Sequence, residues 1–306
     1  MKTESRLQFW LRPSIYAAAT VLGLLSLVYP FLLPAVTDGS SAGQARAAEM
    51  PLLMTVMLGL CLLVLIYEVQ GQSMNTKLVA LLGVLVAINA AVRFIEVGIP
   101  GPGGFSPIFF LIILTGYLFG GRFGFLMGAL TIFVSSLITG GIGPWLPSQM
   151  LAAGWVGMSA ALLPPLVSRV RSIKAHLSPR WEQGVEIGIL VVFGFLWGIL
   201  YGVIMNLWSW PYFSGPADQF WTQGIGVYET LQRYFSYYLL TSLIWDLGRG
   251  IGSALLLVAF GLPALRALRR FQRRFSFTQQ PSYEESDLLK KDRTAEDASL
   301  PLRGSA

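Results

Sequence analysis

Residues 98–157 decide the fold, and they read GIPGPGGFSPIFFLIILTGYLFGGRFGFLMGALTIFVSSLITGGIGPWLPSQMLAAGWVG. Two segments rich in glycine and proline, 98–107 and 140–147, bracket two apolar runs of helical length, which a glycine corner at 120–124 joins. Irregular backbone at membrane depth is tolerated where it lines a space enclosed by protein. The pattern therefore predicts a membrane protein in which both segments close one end of a small-molecule site.

The composition of the whole chain agrees with a membrane location, since 54% of its 306 residues are hydrophobic and only 12% are charged. A soluble domain carries about 25% charged residues. The net charge of +6 does not indicate nucleic-acid binding, because the basic residues gather at helix ends and in the C-terminal tail. We expect an all-α polytopic protein in the lipid bilayer of the cell membrane.

Eight membrane-spanning helices are predicted, since each run approaches or exceeds the ~20 apolar residues that a helix needs to cross a bilayer, or is a shorter run beside irregular backbone. The first two form an N-terminal extension within residues 1–76, and the other six form a substrate-binding core within residues 77–274. Residues 275–306 are polar without apolar periodicity and are expected to be a disordered cytoplasmic tail. The predicted spans are 14–36, 50–68, 78–97, 107–119, 123–139, 149–167, 184–207 and 235–262.

The distribution of basic residues predicts the orientation of these spans. With a cytoplasmic N-terminus and eight spans, all but four of the 22 Lys and Arg residues fall on the inner side. Cytoplasmic loops of membrane proteins carry an excess of Lys and Arg. We therefore expect both termini to be cytoplasmic and both Gly/Pro segments to lie outside. The four exceptions are Arg46, Arg93, Arg233 and Arg249.

Polar residues inside the predicted spans are candidates for function. Asn89, Arg93 and Glu96 share one face of the third span, and Asp246 and Arg249 lie three residues apart in the eighth. An ionisable side chain at membrane depth is costly unless it is paired or faces water. Substrate contact and a purely structural ion pair both remain open, and an Arg93–Asp246 pair would join the two groups.

Small residues recur at four-residue spacing in several spans, which allows helix backbones to approach closely. One such stripe, Gly83, Ala87 and Ala91, lies on the third span, and another, Gly194, Gly198 and Gly202, lies on the seventh. Packing within the chain and docking of another membrane subunit are both consistent with such stripes. The third span is the preferred docking candidate.

The aromatic segment 208–228 is either a set of interfacial residues or a lid over a flat ring.

No pattern for catalysis, metal binding or nucleotide hydrolysis is found. One histidine, His176, and one cysteine, Cys61, cannot supply an ordinary zinc site or a His-based catalytic set. A phosphate-binding GxxxxGK[ST] motif is also missing. The sequence therefore indicates a protein that is not an enzyme and carries no cofactor or metal.

From residue 77 to residue 266 the sequence resembles the substrate-binding S components of energy-coupling factor (ECF) vitamin transporters. The segments that carry the resemblance are AAVRF at 90–94, FSP at 105–107, GYLFG at 116–120, GPWLPSQMLA at 143–152, GWVG at 154–157 and WDLGR at 245–249. The resemblance implies a six-helix core that binds a vitamin from outside, of which a cobalamin-type compound is the first candidate. The two N-terminal helices and the charged tail depart from the family pattern.

The resemblance also implies partners and site residues. A membrane coupling subunit and two ATP-binding cassette ATPases would supply energy, and the family's Ala-x-x-x-Ala docking motif maps to Ala87 and Ala91. Outer loops 98–106 and 143–149 would close the pocket. The residues expected to contact the substrate or to hold the pocket wall are Asn89, Arg93, Trp145, Gln149, Asp246 and Arg249.

Two other functions are kept as alternatives. A self-sufficient secondary transporter would use Arg93, Glu96 and Asp246 for ion coupling, although such proteins often contain two related halves, which are not evident here. A membrane scaffold or assembly protein would bind no ligand and would tolerate substitution of Arg93 and Gln149.

Overall fold

A computed structural model describes residues 76–99, 101–173, 178–212, 215–216, 218–222 and 224–275, together with single positions between 16 and 59. The predicted span 50–68 lies outside the described residues except at Thr55, Val56 and Gly59, and span 14–36 is described only at scattered positions from Tyr16 to Phe31. The predicted tail 275–306 lies outside them except at Phe275.

All regular secondary structure in the described part of the chain is helical, as predicted. Five stretches there are long and apolar enough to cross a membrane, and α2 is a shorter apolar helix. The helices are α1 (Thr76–Gly98), α2 (Ile108–Phe119), α3 (Gly121–Thr139), α4 (Leu146–Ala160), α5 (Leu163–Ile173), α6 (Pro179–Ser209), α7 (Val227–Thr241) and α8 (Leu243–Phe275), with 3-10 turns at Pro102–Gly104 and Trp210–Tyr212.

Two predicted spans are each divided in the structure. The predicted span 149–167 becomes α4 and α5, because Pro164 and Pro165 have no N–H groups to bond the carbonyls of Ala160 and Ala161. The predicted span 235–262 becomes α7 and α8, which are separated at Ser242. The longest apolar stretch around α4 and α5, Leu146–Ser172, still suffices to cross a bilayer.

The centre of the fold is the packing of α2, α3 and α4. Helix α2 is only 12 residues long, which gives about 18 Å at 1.5 Å per residue, and Ile112, Ile113 and Leu114 within it are fully buried. Side chains at Gly124 and Gly157 would collide with backbone of the facing helix. The glycines of this region therefore allow three helix backbones to touch, which buries most of the short α2.

A second close contact joins α6 and α8. A Cβ at Gly198 would overlap the backbone of Gly250, and a Cβ at Gly194 would overlap the Leu257 side chain. The stripe on the seventh span therefore packs within the chain. The stripe on α1 differs, since Gly83, Ala87 and Ala91 are exposed and a Cβ at Gly83 would meet nothing within 4 Å.

Described residues of the first predicted span pack against the core. The Tyr16 ring meets the Phe125 ring edge-on with centroids 5.3 Å apart, and Trp155 Nε1 donates to Thr20 Oγ1 at 3.3 Å. A Cβ at Gly23 would lie 2.9 Å from Leu151 Cδ1. These contacts place part of the N-terminal segment on α3 and α4.

Candidate functional site

The first half of the site is a hydrogen bond between α1 and α4. Arg93 Nη2 donates to Gln149 Oε1 at 3.2 Å. Arg93 lies five residues before the end of α1, and Gln149 is the fourth residue of α4. The structure therefore brings together two predicted site residues that are 56 positions apart in the sequence.

The second half is an ion pair within α8. Arg249 Nη1 lies 2.5 Å from Asp246 Oδ1 and 3.4 Å from the carbonyl oxygen of Gly198. The Arg249 guanidinium also lies over the Tyr201 ring, 5.3 Å from its centroid. A Cβ at Gly202 would overlap both carboxylate oxygens of Asp246, so Gly202 makes the space in α6 that the carboxylate occupies.

Glu96 and Tyr201 connect the two halves. Arg93 and Arg249 both interact electrostatically with Glu96, and all three charges act on Tyr201. Tyr201 also packs edge-on against Phe109 of α2, with ring centroids 4.9 Å apart. We call Arg93, Glu96, Gln149, Tyr201, Asp246 and Arg249 the polar layer. It lies on the side of the bundle where α1 ends and α4 and α8 begin.

The loop between α1 and α2 is pressed against this layer. Gly103 and Gly104 have φ of 59° and 73°, and a Cβ at Gly104 would lie 2.6 Å from the carbonyl oxygen of Trp245. Ser106, 5% exposed, donates from Oγ to Glu96 Oε2 at 3.0 Å. Glycine at both positions therefore lets this loop lie directly on the first turns of α8, beside Asp246 and Arg249.

Two predicted site residues make their hydrogen bonds outside the polar layer. Asn89 is fully buried, and its Nδ2 donates to the Ile108 carbonyl at 3.1 Å and to Thr131 Oγ1 at 3.2 Å. Trp145 is 44% exposed and donates from Nε1 to the carbonyl of Gly141 at 3.3 Å. Asn89 thus joins α1 to α2 and α3, and Trp145 braces the loop before α4.

The hypothesised Arg93–Asp246 pair is not formed, because Asp246 pairs with Arg249 on its own helix. Arg93 consequently has only a neutral partner for its Nη2, and its buried Nη1 has no hydrogen-bond partner among the described residues. Asn206 Nδ2, in the last turn of α6, is also buried and has no hydrogen-bond partner among the described residues. Buried polar groups are nearly always hydrogen-bonded, so these groups are suited to donate hydrogen bonds to an oxygen atom of a ligand or of water.

The sequence did not identify Tyr201 as a member of this layer, and it named Glu96 without its partner Ser106. Tyr201 adjoins Gly202 in the small-residue stripe of α6, and this position beside a stripe was the available signal. The described residues contain no group of three or more His, Cys, Asp or Glu side chains that would hold a metal ion.

Comparison with known proteins gives one match. A family model described as "ECF transporter, substrate-specific component" matches residues 77–260, which include α1 from its second residue, α2 to α7, the first half of α8 and all of the polar layer. No curated protein and no solved structure matches the chain.

Proposed function

Because the chain belongs to the family of ECF transporter substrate-specific components, we propose that it binds a vitamin at the polar layer and depends on partner ATPases for transport. Membership makes it a multi-pass membrane subunit that binds a transport substrate and works with an ECF module. The vitamin, the site residues and the composition of the module are the proposed parts.

The observation that carries the site is the position of the polar layer. Its residues come from α1, α4, α6 and α8 and meet at one end of the bundle, under the loop that holds Gly103 and Gly104. Membrane-protein charges that face the bundle interior commonly mark a substrate pathway. The excess of basic residues on the opposite side of the chain supports an external position for this end, with both termini cytoplasmic in the cell membrane.

The roles of the predicted residues follow from their contacts. Arg93 offers an unpartnered donor, and Gln149 is its neighbour, so these two contact the substrate. Asp246 and Arg249 neutralise one another and form the wall beside Tyr201. Asn89 supports the pocket wall through its hydrogen bonds to α2 and α3. Trp145, in loop 143–149, belongs to the loop that closes the site.

The proposed partners are a membrane coupling subunit and two ATP-binding cassette ATPases. The exposed stripe of Gly83, Ala87 and Ala91 on α1 would dock the coupling subunit, since small residues permit close helix approach. Tyr16, Thr20 and Phe31 contact α3, α4 and the segment after α6. The exposure of the stripe supports docking despite the extra helices.

The substrate is proposed to be a vitamin of the cobalamin type or a related one, on the resemblance of the segment GPWLPSQMLA at 143–152. The Tyr201 ring lies under the Arg249 guanidinium and packs edge-on against Phe109, which places aromatic side chains beside the charged groups. Aromatic surface with a few placed polar groups is the usual composition of a small-molecule site.

Reconstitution separates this proposal from a self-sufficient ion-coupled transporter. The purified chain in proteoliposomes should bind a labelled vitamin but accumulate none under a proton or sodium gradient, and uptake should require the coupling subunit, the ATPases and ATP. Gradient-driven accumulation by the chain alone would establish the alternative. A scaffold protein would bind no vitamin and would be unaffected by Arg93→Gln.

A further inference from the structure

The N-terminal segment has one face that contacts the core. Tyr16, Thr20, Gly23, Leu27 and Phe31 follow one another at spacings of four, three, four and four, which places them on one side of a helix. Tyr16 and Leu27 are 8% and 5% exposed. We call these five residues the N-terminal seam. Val21, Leu24 and Leu25, between them in sequence, are about half exposed.

The seam ends at a cluster of aromatic rings. The Phe31 ring lies 5.8 Å from the Trp210 ring and 5.5 Å from the Trp221 ring, measured between centroids. Trp210 is 1% exposed, packs on Tyr234 and Tyr237, and donates from Nε1 to the carbonyl of Gln219 at 2.9 Å. We call Trp210, Phe220, Trp221, Tyr234 and Tyr237 the aromatic cap.

The aromatic cap in turn reaches the polar layer through α7. The Tyr234 hydroxyl donates to the Val203 carbonyl at 2.8 Å, two residues from Tyr201. One turn later in α7, Tyr238 stacks on Tyr234 with centroids 6.5 Å apart. A series of contacts therefore runs from Phe31 through Trp210 and Tyr234 to Val203 of α6, next to Gly202, against which the Asp246 carboxylate packs.

We propose that the N-terminal seam belongs to the substrate-binding unit and that Phe31 is a positioning residue, which holds the aromatic cap closed over the polar layer. The proposal rests on the proposed function, in which the substrate enters at this end. It assigns a role to residues that precede the segment matched by the family model, 77–260. Aromatic pairs of this geometry stabilise a structure beyond what their buried area provides. Loss of the Phe31 ring therefore favours an open cap.

The test compares three variants of the full chain in nanodiscs. Phe31→Ala removes the ring from the cap, Phe31→Tyr retains an aromatic ring, and Leu24→Ala removes a similar side chain from the exposed face. Amide hydrogen exchange is followed in peptides that cover residues 208–222. Phenylglyoxal labelling of Arg93 and Arg249, read by peptide mass spectrometry, reports access of water-soluble reagent to the polar layer.

Phe31→Ala should raise exchange in 208–222 and labelling of Arg249 roughly tenfold, which corresponds to about 1.4 kcal/mol in the opening equilibrium. Phe31→Tyr should restore most of the wild-type protection, and Leu24→Ala should change neither rate. Unchanged rates in Phe31→Ala would overturn the proposal. Equal changes in Leu24→Ala, or increased exchange throughout α3 and α4, would also overturn it, since they indicate general destabilisation.

Neither measurement uses a vitamin, so the two proposals can fail separately. Unaltered exchange at the aromatic cap would refute the role of Phe31 and leave vitamin binding intact. A chain that binds no vitamin would refute the proposed function without changing these exchange rates.

Discussion

The pair of Asp246 and Arg249 is the most constrained contact of the polar layer. Asp246 is 2% exposed, and its carboxylate fits against α6 only because residue 202 is glycine. A buried ion pair contributes little net stability, but removal of one partner leaves the other charge uncompensated at a cost of about 3–5 kcal/mol. The pair is therefore best examined by comparing its single and double substitutions.

Asp246→Ala should lower the melting temperature of the purified chain by roughly 6–12 °C, because it leaves the partly buried Arg249 guanidinium without its ion-pair partner. The double variant Asp246→Ala/Arg249→Met should regain part of this loss, since no charge is then left unpaired. Thermal unfolding in detergent compares the wild type, Asp246→Ala, Arg249→Met and the double variant. Additive effects of the two substitutions would show that the charges do not act as a pair.

Gly202→Ala should destabilise the protein by about 1–3 kcal/mol, the usual cost of overpacking a filled interior. The added methyl group would displace the Asp246 carboxylate from Arg249. Gly188→Ala on the same helix is the matched control, because a Cβ there meets nothing within 4 Å. Equal unfolding temperatures for the two variants would contradict the fit between α6 and Asp246.

At the residue scale, the sequence predicted which charged side chains belong to the polar layer better than it predicted the side chains that they contact. Arg93, Asp246 and Arg249 could be singled out because charges are rare in apolar helices, and the structure brings all three to one layer. The partner of each depends on which helices meet, which no local pattern contains. Gln149 was suggested only by a family motif, and Tyr201 was missed because its position beside the small-residue stripe does not by itself distinguish it from other aromatic residues in apolar helices.

At the scale of elements, α1 presents its small residues outward while the other glycine stripes pack within the chain. Gly83, Ala87 and Ala91 are exposed, whereas Gly198 touches Gly250 and Gly124 touches Gly157. Sequence spacing alone could not separate these cases, since close packing inside the chain and docking of a partner need the same small side chains. The structure distinguishes them by exposure.

Ala87→Trp should abolish co-purification of the chain with a coupling subunit and leave vitamin binding unchanged, because the added ring prevents close helix approach at the stripe. Leu255→Trp is the control, since Leu255 of α8 is 62% exposed and lies on another helix. Co-expression followed by affinity purification gives both readouts. Normal assembly of Ala87→Trp would remove α1 from the proposed interface.

The ends of helices were predictable where glycine or proline residues mark them. Pro164 and Pro165 explain the break between α4 and α5, and Gly120 and Gly140 limit α3. No glycine or proline marks Ser242, so the apolar pattern continued through the division between α7 and α8. Helix α7 makes tertiary contacts of its own, such as the bond of Tyr234 to Val203, which the apolar pattern does not contain.

At the scale of the whole molecule, the described chain separates a tightly packed centre from a polar end. Glycine contacts fix α2, α3 and α4 against one another, and the polar layer lies at the side where loop 98–107 and the aromatic cap are found. The family match agrees with a substrate-binding subunit. In the proposed function, partner subunits supply the energy for transport.

Mass spectrometry of small molecules retained by the purified full-length chain tests the central claim most directly. The account predicts one vitamin that stays bound to the wild-type chain in about a 1:1 ratio, as expected for a small-molecule site of which a protein has few. The same vitamin should be lost in Arg93→Gln but kept in the control Gly188→Ala. A chain that retains no vitamin and binds none on titration, or that retains it equally well in Arg93→Gln, would contradict the account.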